Sequence, residues 1–214
     1  MSIFLILRVL SNISNLVLCW VSLRSFRFKS PVYARIFSVL CIFEQVAEVI
    51  QWFAVRHPAL QIVTDEAVVF AETITYGIIF YYVINSKTVR WVTGSLLLLY
   101  FLRFGFLLAK NGILQRLPVG FELFSYIILL IPSFAYFREI FTFRRDGDLL
   151  RDFTFWLVTG TMFSCAATIV NIVGLGFLNL LKLDNSHNSF YLLFSFAFII
   201  GNILFIKAYL CLRK

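Results

Sequence analysis

Residues 153–178 of the chain, FTFWLVTGTMFSCAATIVNIVGLGFL, contain no charged side chain. A helix needs about 20 apolar residues to cross the roughly 30 Å of hydrocarbon in a bilayer, and this run is long enough. Hydrophilic segments lie on both sides of it, RRDGDLLRD at 144–152 and KLDNSHNS at 182–189. The stretch therefore predicts a transmembrane helix with a polar loop at each end.

The composition of the whole chain agrees with that prediction. Of its 214 residues, 61% are hydrophobic and only 14% are charged, whereas soluble domains are about half apolar and about a quarter charged. The apolar runs use nearly all of the length, so the sequence leaves no room for a separate soluble catalytic domain. We expect an integral membrane protein.

Seven apolar runs of this kind follow one another along the chain. They cover approximately 2–23, 34–55, 64–86, 90–110, 119–142, 153–178 and 189–211. The dipeptide His57-Pro58 is expected to end the second run, and Thr64 to cap the third, with Asp65 and Glu66 in its first turn. The predicted fold is all-α, a single polytopic seven-transmembrane-helix bundle over residues 1–214.

The distribution of Lys and Arg predicts the orientation. Arg56, Lys110, Arg116 and Lys182 fall in one set of loops, and most of the other basic residues fall at the opposite helix ends. By the positive-inside rule, the N-terminus lies outside and the C-terminus in the cytoplasm. The net charge of +8 is thus a topology signal and does not indicate a nucleic-acid partner. We expect a multi-pass protein of a bacterial inner membrane.

Polar residues interrupt the second run, FEQVAEVIQW at 43–52. Their spacing places Glu44, Glu48 and Gln51 on one face of a helix. An ionised side chain at the centre of a membrane helix costs about 2.5–3.5 kcal/mol on insertion scales. We therefore expect this face to turn toward other helices and away from lipid.

Other runs carry polar residues at similar depth: Arg8 and Asn12 in the first, Glu72 and Tyr76 in the third, and Arg103 in the fourth. Arg103 is the expected partner of Glu48 or Glu72, and Arg8 is the other candidate. More acids than arginines are available. These residues, with Glu44 and Gln51, predict a net-acidic chamber open to the outside, although buried polar groups can also serve only to hold helices together.

Several kinds of chemistry are absent from the pattern. Both histidines fall in predicted outer loops, so no haem or metal site is expected, and no nucleotide-binding or nucleophile motif occurs. Lys207 lies near the cytoplasmic end of its helix, which disfavours a retinal cofactor. The small residues Gly160, Ser164 and Thr168 favour packing within the chain over a dimer interface, with a homo-oligomer left open. We expect neither a cofactor nor an enzyme.

Five stretches together carry a resemblance: FRFKSP at 26–31, the helix of Glu48, ETITY at 72–76, YFRE at 136–139 and FWLVTG at 155–160. With them the chain resembles a group of uncharacterised small seven-helix membrane proteins of the Bacteroidetes type. The plan of that group is similar to the seven-helix sensor modules of histidine kinases. The resemblance implies a receptor-like bundle that acts with a separate signalling kinase or another membrane protein.

The favoured function is a non-enzymatic sensory or receptor-like protein in the lipid bilayer. A ligand, cation or proton would enter the acidic chamber, and a basic cytoplasmic loop with Arg144, Arg145 and Arg151 would face the partner. One alternative is a small cation- or proton-coupled transporter or channel, with Glu44 and Glu48 as relays. The other is a structural subunit of a membrane complex.

Overall fold

The computed structural model describes residues 3–26, 30–112, 115–142, 148–180 and 187–212. Across these ranges the chain forms seven α-helices: α1 (Ile3–Leu23), α2 (Val32–Phe53), α3 (Pro58–Val83), α4 (Lys87–Asn111), α5 (Val119–Thr142), α6 (Phe153–Leu180) and α7 (His187–Cys211). Short 3-10 turns follow α1 and α2 and precede α6, at Arg24–Phe26, Ala54–Arg56 and Leu149–Arg151. The prediction of an all-α chain with seven helices is confirmed.

Six of these helices are long and apolar enough to cross a membrane, counted over the described residues: α1, α2, α4, α5, α6 and α7. The remaining helix, α3, carries Asp65, Glu66 and Glu72. The chain is therefore a membrane-type protein by the length and composition of its helices. That α3 also crosses the bilayer stays a prediction, as does the orientation of the two termini.

The start of α3 differs from the expectation. The helix begins at Pro58, with His57 as the residue before it. Proline suits the first helical position because the N–H group there has no partner within the helix, and because the fixed φ of proline is helical. Thr64 is not a cap; it lies inside the helix and donates its hydroxyl to the carbonyl oxygen of Leu60 at 2.7 Å. Asp65 is consequently beyond the first turn, on a packed part of the helix.

The other helix ends follow the local signals. Ser86 caps α4 by accepting a hydrogen bond from the N–H of Val89 at 3.5 Å. Gly112, after the end of α4, has a φ of 77°, in the left-handed region that glycine tolerates. The carbonyl of Pro118 accepts from the N–H of Phe121 at 2.7 Å as α5 begins. Helix α5 continues through Pro132 without a break, as expected.

By its contacts the chain falls into two compact units, one of Met1–Lys29 with Asp146–Lys214 and one of Ser30–Arg145. In the first unit, α7 packs against both α1 and α6. The side-chain amide of Asn202 on α7 donates a 2.9 Å hydrogen bond to the hydroxyl of Ser14 on α1. This bond fixes the register of α1 against α7. The prediction of one seven-helix domain stays a prediction.

Small residues hold α6 and α7 close together in the first unit. A Cβ at Gly160 would lie 2.6 Å from the ring of Phe205, and one at Gly201 would lie 2.6 Å from the hydroxyl oxygen of Ser164. Each helix thus places a glycine against a side chain of the other. The expectation that Gly160 and Ser164 serve packing within the chain is confirmed.

In the second unit, α3 is the central helix and contacts α2, α4 and α5, and α4 also contacts α5. Tyr100 of α4 stacks on Phe121 of α5 with ring centres 4.8 Å apart. Phe70 of α3 and Phe104 of α4 stack at 4.3 Å beside them. This aromatic core joins α3, α4 and α5 and supports the polar residues described next.

Candidate functional site

Helices α2 and α3 of the second unit are antiparallel neighbours, and three side-chain pairs match along them. Phe37 faces Tyr76 with ring centres 5.8 Å apart, and Glu44 interacts with Glu72. The amide of Gln51 donates to Oδ1 of Asp65 at 2.6 Å. On α2 the three residues are seven positions, about two turns, apart; on α3 the steps are four positions from Tyr76 to Glu72 and seven from Glu72 to Asp65. Both spacings keep the residues on one helix face, so the pairs form one stripe between the helices.

The central pair joins two carboxyl groups. The side chains of Glu44 and Glu72 are partly buried and lie close enough to interact with each other electrostatically. The hydroxyl of Tyr126 on α5 donates to Oε2 of Glu72 at 3.4 Å. Two carboxylates in such contact repel each other, and this repulsion favours a proton on one of them. The pair is therefore a place where a proton can be held or released.

Further acids surround this pair. Glu48 lies within electrostatic range of Glu44, and Glu122 of α5 lies within range of Glu72. Glu122 in turn interacts with Asp65 and Glu66. We call this set the acid cluster; its members are Glu44, Glu48, Asp65, Glu66, Glu72 and Glu122. They come from α2, α3 and α5, and they place negative charge along the stripe from its middle to one end.

The cation beside the acid cluster is Arg116, in the segment before α5. Its guanidinium lies 3.8 Å from Oδ2 of Asp65, with 70% and 43% of the two side chains exposed. An ion pair that exposed contributes about 0–1 kcal/mol. The next residue, Leu117, donates its backbone N–H to Oε1 of Glu66 at 2.9 Å. Arg116 and the N–H of Leu117 thus bind the two acids of α3 that are nearest to the start of α5.

Tyr100 places a buried hydroxyl next to the acid cluster. Its side chain is 0% exposed, and its oxygen makes no hydrogen bond of ordinary geometry within the described residues. The hydroxyl lies beside Thr73 and within electrostatic range of Glu66, Glu72 and Glu122. A buried hydroxyl without a good hydrogen bond is costly. Tyr100 could therefore donate a hydrogen bond to an acceptor that enters the site.

Arg103 was expected to pair with an acid, but in the structure its side chain contacts aromatic rings instead. It is exposed, and its guanidinium lies 6.0 Å and 5.8 Å from the ring centres of Phe121 and Phe124. A pairing with Glu48 or Glu72 is not among its contacts in the described residues. Arg8 and Asn12 belong to the first unit, where Arg8 is exposed and Asn12 is partly buried on α1.

Of the residues expected from the sequence, the structure thus brings together Glu44, Glu48, Gln51, Glu72 and Tyr76. Sequence reasoning noted Tyr100 among the polar residues of the fourth run but missed the contributions of Asp65, Glu66, Glu122, Tyr126 and Arg116. Asp65 lies seven residues, about two turns, before Glu72 on the same face, and this spacing was available from the sequence. The tyrosines carried no comparable signal, because their place depends on how α4 and α5 pack.

The expected partner-facing loop is only partly described. Arg144 and Arg145 lie outside the described residues. Arg151 ends the short turn before α6 and forms a 2.9 Å ion pair with Asp148, with both side chains largely exposed. Its role toward a partner stays a prediction.

Within the ranges that the structure covers, no group of three or more His, Cys, Asp or Glu side chains is arranged to hold a metal ion. Comparison of the chain with protein-family models, with curated proteins and with solved structures finds no match.

Proposed function

We propose that the chain is a receptor-like sensory protein of a bacterial inner membrane, in which the acid cluster responds to a proton or another cation. The cluster would be reached from the outside. The protein would signal without catalysis to a separate partner in the membrane or the cytoplasm. The observation that supports this proposal is the contact of two acids, Glu44 and Glu72, between α2 and α3.

The pair couples charge to helix packing. While it shares a proton, a hydrogen bond joins α2 to α3. When the proton leaves, two carboxylates face each other across the same interface and repel. The resulting preference for two different packings is what a ligand needs in order to shift an equilibrium. Uptake of a proton or a small cation would draw the helices together, and its loss would separate them.

The topology that suits this function is the one the basic residues predict. All seven helices would cross the bilayer, with the N-terminus outside and the C-terminus in the cytoplasm. Asp65, Glu66 and Glu122 would then lie toward the outside, where a cation arrives. The segment with Arg144, Arg145 and Arg151 would lie in the cytoplasm and face a signalling kinase, as the likeness to sensor modules implies.

Infrared difference spectroscopy tests the central pair. The protein, purified in detergent, is titrated from pH 8 to pH 5, and the carbonyl band of protonated carboxylic acids is recorded. We expect a band that appears in the native chain and disappears in both Glu44→Gln and Glu72→Gln. Glu139→Gln is the control, because Glu139 lies on another part of α5. A band that survives in both pair variants would contradict the proposal.

A proton- or cation-coupled transporter is the second candidate. The feature that favours it is the run of acids from Asp65 through Glu122 and Glu72 to Glu44, because a series of neighbouring carboxyl groups can relay protons. Proteoliposomes with an internal pH dye distinguish the two functions. A receptor leaves the imposed pH gradient unchanged, whereas a transporter dissipates it, and Glu72→Gln then abolishes the flux.

A further inference from the structure

The end of the second unit opposite to Asp65 and Glu66 is basic. Helix α2 begins there, since Phe37 near its start faces Tyr76 near the end of α3. The same end holds the start of α4 and the end of α5. Its described charged residues are Arg35, Lys87, Arg90, Arg138 and Glu139. This end therefore carries four cations and one acid among the described residues, whereas at the opposite end Asp65, Glu66 and Glu122 lie among Arg56, Lys110 and Arg116.

A cavity of about 680 Å³ opens at the basic end, between the start of α4 and the last turns of α5. This volume lies within the range of small-molecule sites. Its lining includes the hydrogen-bond donors Asn85, Ser86, Arg138 and Thr142 and the apolar residues Val89, Ala135 and Ile140. The lining thus suits a ligand with one polar and one apolar portion.

The polar side chains of the lining favour an anionic ligand. Ser86 accepts a hydrogen bond from the N–H of Val89, which leaves its own proton for another acceptor. Arg138 is exposed and has no carboxylate partner among the described residues. A guanidinium binds phosphate with strong, charge-assisted hydrogen bonds. Hydroxyls and an amide beside it can complete the contacts to phosphate oxygens.

Among the described lining residues Glu139 is the one acid, and its oxygens are already engaged. Its oxygens accept hydrogen bonds from the backbone N–H groups of Asn85 and Ser86, at 3.1 Å and 2.9 Å. A carboxylate held by two amides at the start of a helix is stabilised there. The carboxylate keeps its charge, but its oxygens are directed to the amides of the α3–α4 connection.

From this geometry we infer that the cavity binds an anionic phospholipid, with the phosphate against Arg138, Ser86 and Thr142 and the glycerol and acyl portion against the apolar residues of the lining. The basic end faces the cytoplasmic leaflet in the predicted topology. Anionic lipids are enriched in that leaflet, and basic pockets between membrane helices bind their head groups. This site is separate from the acid cluster and does not depend on the sensory function.

Lipid-dependent thermal unfolding tests the inference. The full chain in neutral detergent is heated with phosphatidylglycerol, with phosphatidylcholine or with inorganic phosphate, and Trp fluorescence reports the midpoint. We expect phosphatidylglycerol to raise the midpoint in a saturable manner and the other two to leave it unchanged. Arg138→Gln should weaken the apparent lipid affinity by about tenfold or more, the typical value of a charge-assisted hydrogen bond.

Arg35→Gln is the matched control, because it removes the same charge from the same end of the unit but lies outside the cavity. It should change the apparent affinity by less than about threefold. Equal losses in the two variants would reduce the effect to general surface electrostatics and overturn the inference. A response to inorganic phosphate equal to that of the lipid would reassign the site to free phosphate, and no response to any ligand would exclude the site.

Arg138→Gln could lower the yield of folded protein, so Thr142→Val supplies a second variant. Thr142 is exposed at the end of α5, and its change to valine preserves shape while removing the hydroxyl. Native mass spectrometry of both variants counts the phosphatidylglycerol molecules retained. Retention equal to that of the native chain in both variants would also overturn the inference.

Discussion

The side-chain amide of Gln51 donates a hydrogen bond to Oδ1 of Asp65 at 2.6 Å, and this bond joins the last turn of α2 to α3. The acceptor is a carboxylate, and hydrogen bonds to charged groups contribute about 1.5–3 kcal/mol. We expect Gln51→Leu and Asp65→Asn each to lower the unfolding midpoint in detergent. In a double-mutant cycle the two changes should couple by about 1 kcal/mol or more. Strictly additive effects would show that the bond does not form.

A variant of Arg103 tests whether this residue forms an ion pair with the acid cluster or only contacts aromatic rings. It lies against Phe121 and Phe124, and a cation–π contact at an exposed position is worth about 0.5–1 kcal/mol. Arg103→Leu should therefore destabilise the chain by no more than about 1 kcal/mol, measured by reversible unfolding in detergent. Removal of one partner from a buried ion pair typically costs about 3–5 kcal/mol, and a loss of that size would place Arg103 among the acids after all.

The close approach of α6 and α7 predicts opposite effects for two glycine substitutions. Gly160→Ala adds a methyl group where the ring of Phe205 lies 2.6 Å away, and overpacking typically costs about 1–3 kcal/mol. Gly176→Ala adds one to the same helix where no atom lies within 4 Å. That change should stabilise the helix by about 0.5–1 kcal/mol. Thermal unfolding of the two variants should thus shift in opposite directions, and equal shifts would contradict the packing.

The predicted topology can be read from cysteine labelling. Native cysteines are first replaced by serine, and His57→Cys, Thr88→Cys or Gln115→Cys is then introduced; all three positions are exposed. An impermeant maleimide should label the cysteines at 57 and 115 in intact cells, and the one at 88 only after the membrane is opened. Labelling at 57 and 88 from the same side would show that α3 does not cross the bilayer.

The sequence predicted the number and position of the helices well because the length of an apolar run is a local property. It placed Glu44 and Glu72 at similar depth for the same reason. It failed at the start of α3, because His57-Pro58 can equally end one helix or begin the next. The six apolar helices could therefore be predicted from the sequence, while the start of α3 could not.

The contacts within the site were harder to predict, since they depend on which helix faces which. Charge alone suggested that Arg103 would seek Glu48 or Glu72. The packing of α4 on α5 instead turns it toward phenyl rings, and Arg116 from a connecting segment is the cation at Asp65. Tyr126 reaches Glu72 only because α5 packs against α3. Such partners are non-local, and no spacing rule along one helix identifies them.

The bonds from Glu139 to the backbone of Asn85 and Ser86 also bear on biogenesis. Two backbone N–H groups in the connection between α3 and α4 donate hydrogen bonds to a residue that is synthesised more than fifty positions later. When this hairpin leaves the ribosome, the amides of its turn must rely on water or lipid head groups. Its final geometry is reached only after α5 has entered the membrane, so that α3, α4 and α5 mature together and not in succession.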